Sequence, residues 1–468
     1  MDAEPNSNAV VAYEDPRNSS LSRRIFSITA VTLLAFVAAF GGAIYAPAQE
    51  EIAVLFHCSS EVAILPLSLY NLGMAFGPLF GAPLSEFYGR KSVFLTTTPI
   101  FTAFVLGAGF CDSIVSLSIC RFFAGFFAAP LVSNASATIM DFTVGVHRGI
   151  SLGLYYTVPF AAVNVGSLVG GFLLESKGWR WTQWLTVMAA VVLYIPILFT
   201  RETYKKVLAK RLEPHDPSAS HGTDLSTILK VIHHFATTLL FRPMHMLLSE
   251  PIVALVSLFN AFIFALLYTF VVSVPWAFGR YYNFTSTQQS LSFLGLLIGT
   301  LCAPGPLLLI DLRYYRKQLR AWQQNHSPED GLPPEYRLAA ALLGSLLLPT
   351  SLFIVAWTTQ QRLHWVIPII FQGVTMLSSL LIYASVSLFM LDAYGPLYGA
   401  SASGAMMFAR YFGGTASPLY AQKLYMSIGV GWATTVLACA SLILAPVPWL
   451  FWKYGAKLRA RSKYETSS

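Results

Sequence analysis

The sequence contains few charged residues. Asp, Glu, Lys and Arg make up 11% of its 468 residues, whereas an ordinary soluble domain contains about 25%. A soluble protein could not solvate its surface with so few ionisable side chains, which excludes a soluble enzyme or a nucleic-acid-binding domain. The hydrophobic residues, at 55%, indicate instead a protein embedded in a bilayer.

The groups that a membrane enzyme needs are also missing. None of the nine histidines lies in the middle of an apolar segment, and none of the 22 acidic residues lies deep in one. A multispan acyltransferase or di-iron oxidase needs such clusters, so we reject this class and expect no metal and no other cofactor. Because no phosphate-binding glycine loop occurs, ATP is not the expected energy source.

Twelve apolar segments are long enough to cross a bilayer, which takes about 20 residues. They cover residues 26–48, 62–85, 92–110, 114–140, 150–174, 181–200, 252–278, 287–310, 338–358, 363–388, 396–421 and 428–452. This pattern predicts five regions, namely an N-terminal tail (1–25), a six-helix bundle (26–200), a linker (201–251), a second six-helix bundle (252–452) and a C-terminal tail (453–468). In the linker, apolar residues at helical spacing predict an interfacial helix over 223–240, and a polar loop is expected near 311–337.

The distribution of Lys and Arg predicts the orientation. If the N-terminus is cytoplasmic, 23 of the 30 basic residues fall on inner segments, five on outer segments and two inside spans. Basic residues favour cytoplasmic loops, so both termini and the linker are expected inside. We expect the plasma membrane, with the vacuolar membrane left open.

The two predicted bundles share a local pattern after their second span. Residues 81–91 read G-A-P-L-S-E-F-Y-G-R-K, and residues 305–317 read G-P-L-L-L-I-D-L-R-Y-Y-R-K. Each stretch places an acidic residue, Glu86 or Asp311, a few residues before a basic pair, Arg90-Lys91 or Arg316-Lys317. Such internal repetition is typical of secondary transporters, which hold their substrate between two related halves.

Further motifs show a family resemblance that covers nearly the whole chain from about residue 25. They are A-P-L-S-E-F-Y-G-R-K (82–91), R-F-F-A-G-F-F (121–127), S-K-G-W-R-W (176–181), R-E-T-Y-K-K (201–206), S-E-P-I-V (249–253), L-D-A-Y-G-P (391–396) and G-A-K-L-R-A-R-S-K-Y (455–464). The sequence resembles the fungal twelve-span drug/proton antiporter branch of the major facilitator superfamily. The resemblance implies an all-α membrane protein with twelve transmembrane helices in two pseudo-symmetric six-helix bundles.

The resemblance also implies a conformational latch after the second span. Glu86, Gly89, Arg90 and Lys91 match the family's signature, in which a carboxylate and two cations hold the cytoplasmic side closed. Gly89 suits the tight turn between the two helices. In the second half, Asp311 and Arg316 occupy the corresponding positions.

Two arginines fall inside predicted spans. A guanidinium there is costly, about 2.5–3.5 kcal/mol on insertion scales, so Arg121 and Arg410 should face the bundle interior. The resemblance implies a role in proton coupling for Arg121, and Arg410 is its analogue in the second half. Two structural alternatives remain, a bond from Arg121 to helix-end carbonyls of a neighbour and a packing role for Arg410. A third alternative is that the pair binds an anionic cargo.

The fifth span departs from the antiporter pattern. Gly166, Gly170 and Gly171 are present and predict close helix packing, whereas Ser167 stands where a proline is usual. The missing proline weakens the case for antiport. Asn164 is a polar residue expected to reach the cavity.

Other polar and aromatic residues are candidates for lining a cavity that accepts amphipathic molecules. They are Asn134, Tyr155, Tyr156, Asn260, Tyr268, Gln372, Tyr383 and Tyr411. Each could equally form an interhelical hydrogen bond.

Two outer-side features are left open by the sequence. Cys58 and Cys111 fall where oxidation is permitted, so a disulfide between them can be neither assigned nor dismissed. Asn283-Phe-Thr285 is a candidate glycosylation sequon.

The expected function is the export of small organic molecules, such as drugs, toxins or secondary metabolites, by alternating access in exchange for protons. The alternative is a symporter or facilitator for an organic acid, sugar or polyamine. The expected partners are a small-molecule substrate, protons and the lipid bilayer, with no nucleic acid, and the chain is expected to act as a monomer.

Overall fold

The computed structural model describes residues 15–143, 146–212, 241–325 and 332–464, and these residues form helices and short connections without a strand. Long apolar segments become helices because a helix satisfies its backbone hydrogen bonds internally, which hydrocarbon cannot do for them. Prolines such as Pro130 and Pro159 lie inside these helices, as bundle packing permits.

The first two crossing helices are joined by residues 44–64, which contain the short helices Gln49–Leu55 and Ser60–Ala63, whereas the next four follow after at most four residues each. They are α1 (Leu21–Ala43), α2 (Leu65–Tyr88), α3 (Arg90–Gly109), α4 (Ile114–Phe142), α5 (Val146–Lys177) and α6 (Arg180–Phe199).

The last six crossing helices are less regular. They begin with α7 (Pro251–Tyr282), α8 (Phe293–Cys302 followed by Pro304–Ile310) and α9 (Ala339–Gln360). The long helical path Val366–Leu444 bends sharply at Gly395 and Gly429, both of which have positive φ. These turns divide it into α10 (366–394), α11 (396–428) and α12 (430–444), which Pro446–Arg459 continues.

The turn at Gly429 brings the number of crossings to twelve. Eleven stretches of the described residues are long and apolar enough to cross a membrane, and the last, Tyr398–Arg459, has 62 residues. A straight helix of that length would measure about 93 Å, against about 30 Å of hydrocarbon. Since Gly429 divides it, the stretch contains two crossings.

Successive crossings place the connections on two opposite faces. The linker face carries residues 201–204 and 459–464, and the distal face carries residues 110–113 and 283–285. Contacts between the first six helices and the last six run mainly from α2 to α11 and from α5 to α8.

Several predicted boundaries differ from the structure. The segment 311–337, predicted as a loop, stays helical as far as Asn325, because its Leu, Arg, Gln and Lys residues favour helix even in a polar sequence. Helix also continues to Arg459, within the predicted C-terminal tail. The predicted interfacial helix over 223–240 lies outside the described residues.

Candidate functional site

Arg121 lies in the third turn of α4 and is completely buried. Its Nη1 donates to the carbonyl oxygen of Gly41 at 2.6 Å, and its Nη2 donates to that of Gly42 at 2.7 Å. Both carbonyls belong to the last turn of α1. Carbonyl groups there have no N–H donor within the helix, and they lie at the negative end of the helix dipole. Arg121 therefore caps the C-terminal end of α1.

The guanidinium of Arg121 packs against two tyrosine rings. Its central carbon lies 4.5 Å from the ring centre of Tyr70 and 5.1 Å from that of Tyr45, which is cation–π distance. Each hydroxyl donates to a backbone carbonyl, Tyr70 to Ala38 and Tyr45 to Ala63. The contacts of Arg121 are thus those of the structural alternative, a guanidinium bonded to helix-end carbonyls.

Arg410 in α11 has different partners. It is 2% exposed, and its Nη1 and Nη2 donate to the hydroxyl oxygens of Tyr383 and Tyr411. Its guanidinium lies 4.7 Å from the ring centre of Tyr411 and 4.8 Å from that of Phe264. Its Nε is buried without a hydrogen-bond partner in the described part of the chain.

The rings around Arg410 join the two sets of six helices. Tyr383 lies 5.1 Å from Tyr156 and 5.4 Å from Phe160, both on α5, and Phe160 lies 5.2 Å from Phe264 on α7. We call Tyr156, Phe160, Phe264, Tyr383 and Tyr411 the central aromatic cluster. Arg410 therefore lies at the interface between the halves.

Neither Arg121 nor Arg410 forms an ion pair with a residue that the structure describes. Within residues 15–143, 146–212, 241–325 and 332–464, every Lys or Arg bonded to a carboxylate is at or near one of the two faces. Both buried arginines are instead surrounded by tyrosine rings and by uncharged oxygen atoms.

Glu202 organises the linker face of the first half. Its Oε1 accepts from the backbone N–H of Arg90 at 2.8 Å, and its Oε2 accepts from that of Lys91 at 3.0 Å. A carboxylate at this position satisfies free N–H groups of α3 and complements the helix dipole. Gly89 has φ 93° and lies so close to Glu202 that an added Cβ would clash with its carboxylate.

The side chain of Arg90 completes this network. Its Nε lies 3.4 Å from the Oδ2 of Asp141 on α4, its Nη1 donates to the Oγ of Ser85, and its guanidinium lies over the ring of Tyr204. Burial, together with the nearby negative charge of Glu86, raises the pKa of the Tyr204 hydroxyl. Lys91 donates from Nζ to the carbonyl of Leu198.

The predicted contact between Glu86 and the basic pair is not formed in this structure. Glu86 is exposed at the end of α2 and has no hydrogen bond or ion pair to the described residues. The physical reason is that Glu202 accepts hydrogen bonds from the backbone N–H groups at the start of α3, and Asp141 forms an ion pair with the Arg90 side chain. Glu86 stays a predicted member of the latch only for another conformation.

The second half repeats the pairing of α3 with α4. Arg337, just before α9, donates from Nε to Asp392 at the end of α10 at 2.9 Å, as Arg90 pairs with Asp141. Asp311 joins this network, lying 3.3 Å from the Nε of Arg316 and 3.7 Å from the Nη1 of Arg337. The predicted pair of Asp311 and Arg316 is therefore in contact.

Comparison with known proteins identifies the family. The family model of the Major Facilitator Superfamily matches residues 31–418. The chain belongs to this superfamily. It is therefore a membrane transporter and not an enzyme.

Several relatives of this major facilitator are fungal efflux pumps. It is 35% identical to the MFS-type efflux pump MFS2 of Trichophyton rubrum, over 96% of this chain and 76% of the relative. It is 33% identical to the efflux pump FUBT of Fusarium oxysporum, over 92% of this chain and 73% of the relative. The solved structure of the proton:xylose symporter XylE is similar in fold, with a TM-score of 0.65 at 14% identity, over 92% of this chain and 96% of XylE.

The remaining cavity candidates of this major facilitator are buried or half-buried, and several have protein partners. Asn164 donates to the Oγ1 of Thr300 on α8 at 3.1 Å and so links the halves. Tyr155 donates to the carbonyl of Val132, and Asn260 donates to that of Val256 within α7. Asn134, Tyr268 and Gln372 are each at most 2% exposed.

The three glycines of α5 lie at close helix contacts. An added Cβ at Gly166 would lie 2.9 Å from the carbonyl oxygen of Phe40, and one at Gly170 would clash with that of Ile44, both in the α1 region. One at Gly171 would clash with Ser290 of the second half. These positions allow α5 to approach both α1 and the opposite half.

The two outer-side features lie on the distal face. All five cysteines are free, so the disulfide between Cys58 and Cys111 is not formed, and the Sγ of Cys111 lies 4.0 Å from that of Cys120. Asn283 is exposed and ends α7 in a left-handed conformation, which asparagine tolerates.

The sequence predicts no role for several residues of these networks. Three of them lie within motifs of the family and could have been found by that signal, namely Glu202, Glu250 and Asp392. Nothing in an apolar helix distinguishes Phe160 or Phe264 in this way. Glu250, for example, is 2% exposed, and its carboxylate accepts hydrogen bonds from Tyr394, from Ser462 and from the backbone N–H of Lys463. It fixes the C-terminal segment 459–464 to the linker face.

Proposed function

We propose that this major facilitator exports small organic molecules from the cytoplasm by alternating access, in exchange for protons. Two of its relatives carry the name efflux pump. The single observation that carries the proposal is the position of Arg410 and the central aromatic cluster, at the interface of the halves, where secondary transporters bind their cargo. The cluster offers apolar walls with a few polar groups, which suits amphipathic molecules.

Contacts between the halves support a rocking mechanism. On the distal side, Gln49 donates to Gln422 at 2.8 Å, and Thr287 donates to Glu175. These bonds hold the distal side closed in the observed conformation. Opening the distal side requires them to break.

The linker face supplies the other part of the proposed cycle. We assign the latch to Gly89, Arg90, Lys91, Asp311 and Arg316, which lie in the two charged networks, and to Glu86 in the opposite conformation. Because each network lies within one half, it keeps that half rigid while the halves move against each other.

Proton coupling is assigned to Arg121. The chain has no carboxylate deep in a span, so the proton path runs through water, hydroxyl groups and a carboxylate at a helix end. Arg121 orders the end of α1 and the Tyr45 and Tyr70 rings along this path.

A second candidate function is a facilitator for an organic acid. It is favoured by one observation, namely that both buried arginines lack a carboxylate partner among the described residues. In that case the arginines would bind the cargo and no proton would be exchanged.

A transport assay separates the two functions. Proteoliposomes with an acidic lumen should accumulate at least one of three naphthalene derivatives, 1-naphthalenesulfonate, 1-naphthalenesulfonamide and the (1-naphthylmethyl)trimethylammonium ion. Two of them carry permanent charges, so the pH gradient does not redistribute them passively. Collapsing the gradient with nigericin should end the accumulation, whereas equal flux with and without the gradient would establish the facilitator.

The orientation is also a proposal, with the linker face in the cytoplasm of a plasma-membrane or vacuolar protein. A cysteine introduced at Ser286, on the distal face, should react with an impermeant thiol reagent added outside cells. One introduced at Ser218 in the linker should react only after permeabilisation. The parent should have its five native cysteines replaced by serine, and outside labelling at position 218 would reverse the orientation.

A further inference from the structure

The two buried arginines differ in the groups that accept their hydrogen bonds. Arg121 donates from Nη1 and Nη2 to two backbone carbonyls at 2.6 and 2.7 Å, at the negative end of a helix dipole. Among the described residues Arg410 donates only to the hydroxyl oxygens of Tyr383 and Tyr411, and the Nε atoms of both arginines have no hydrogen-bond partner there. A fully buried guanidinium that is bonded only to neutral hydroxyl groups is unfavourable unless a bound molecule supplies negative charge during transport.

The hydroxyl groups beside Arg410 have spare donors. Each hydroxyl has one hydrogen and can also accept, and Tyr383 and Tyr411 use the accepting side for Arg410. Within the described residues neither hydroxyl donates to another protein group, whereas the hydroxyl of Tyr155 donates to Val132. A guanidinium and two phenolic hydroxyls thus form a set made almost entirely of donors.

The surroundings of this donor set fit a ligand with an apolar body. Phe160, Phe264 and Tyr156 lie next to Tyr383, and no carboxylate of the described residues pairs with Arg410 to repel an anion. The rings come from both halves, so a ligand here would contact both. This is the requirement for a cargo that couples to alternating access.

We propose that Arg410, with the hydroxyls of Tyr383 and Tyr411, binds the acidic group of an organic anion whose apolar body packs against the central aromatic cluster. The cargo class is therefore a small apolar carboxylate or sulfonate. This inference rests on the proposed transport function, since it names the charge of the molecule that is carried. Arg121 has no part in it, because its Nη1 and Nη2 donate to the carbonyl oxygens of Gly41 and Gly42 in α1.

Binding to the purified full chain in nanodiscs tests this inference. The probes are the three naphthalene derivatives, which share an aromatic body and differ in charge. The wild-type protein should bind the sulfonate about 10- to 100-fold more tightly than the neutral sulfonamide, as expected for hydrogen bonds to a charged group. Arg410→Gln should remove this preference, and Arg410→Lys should keep part of it because the charge stays but the planar fork is lost.

Two further variants keep the test decisive. Tyr411→Phe retains the ring and the Arg410 charge, so it should fold, and it should weaken binding of the sulfonate but not of the sulfonamide. The matched control is Arg320→Gln, which removes an exposed arginine from the helical segment after α8 and should leave the preference intact. A sulfonate preference that survives in Arg410→Gln, or a wild-type protein that binds the sulfonamide or the ammonium ion at least as tightly, overturns the inference.

Failure of this inference is distinguishable from failure of the proposed function. If proteoliposomes accumulate the ammonium ion or the sulfonamide and the protein shows no sulfonate preference, export stands and the anion site is wrong. If the sulfonate binds through Arg410 and no probe is accumulated under any gradient, the anion site stands and export is wrong.

Discussion

Arg121→Ala should abolish uphill export driven by a pH gradient. The change removes two hydrogen bonds to the last turn of α1 and the cation between the rings of Tyr45 and Tyr70. Each carbonyl left buried without a donor costs about 1–3 kcal/mol, so the end of α1 should lose its fixed position. The measurement is probe accumulation in proteoliposomes with an acidic lumen.

The control for this variant is Arg121→Lys. A lysine keeps the charge but cannot bond both carbonyls in the geometry of a guanidinium, so transport should be reduced and not lost. Protein amount and elution from size exclusion should match the wild type for both variants. Uphill export by Arg121→Ala at the wild-type rate would remove Arg121 from the coupling mechanism.

Glu202→Ala should destabilise the protein and remove most of its transport. Glu202 is 8% exposed and accepts hydrogen bonds from four backbone N–H groups, those of Arg90, Lys91, Thr203 and Tyr204. The alanine variant leaves the start of α3 without its acceptor, which should lower the free energy of unfolding by about 1–3 kcal/mol. Thermal unfolding in detergent and probe accumulation measure the two effects.

Glu86→Gln provides the matched comparison, because Glu86 is also an acidic residue of the linker face but is exposed. Its unfolding temperature should match that of the wild type, since an exposed side chain contributes little to folding. Its surface expression should stay within about twofold of the wild type. Its transport should nevertheless fall, because the latch needs the carboxylate in the opposite conformation. Unchanged transport would reduce Glu86 to a helix-end residue, and a wild-type unfolding temperature in Glu202→Ala would contradict the capping role.

The charged networks were predictable from the sequence only in part. The spacing that repeats between the halves predicts Arg90, Lys91, Asp311 and Arg316. The same local spacing predicts Glu86 as the acidic partner, whereas Glu202, more than 100 residues away, makes the contact. The distance between chain segments after folding depends on which helices pack together, and no local pattern contains that information.

The sequence by itself determined the twelve crossings, their division into two related halves and the buried position of both arginines. These follow from local physics, because 20 apolar residues in hydrocarbon must form a helix and a guanidinium in a span must face inward. Only the tertiary structure decided that Arg121 caps α1 while Arg410 faces tyrosine hydroxyls, and that Phe160 and Phe264 join the centre. The reason is that the lipid-facing and the core-facing sides of these helices are both apolar, so the rotation of each helix is set by packing against its neighbours and not by its own hydrophobic pattern.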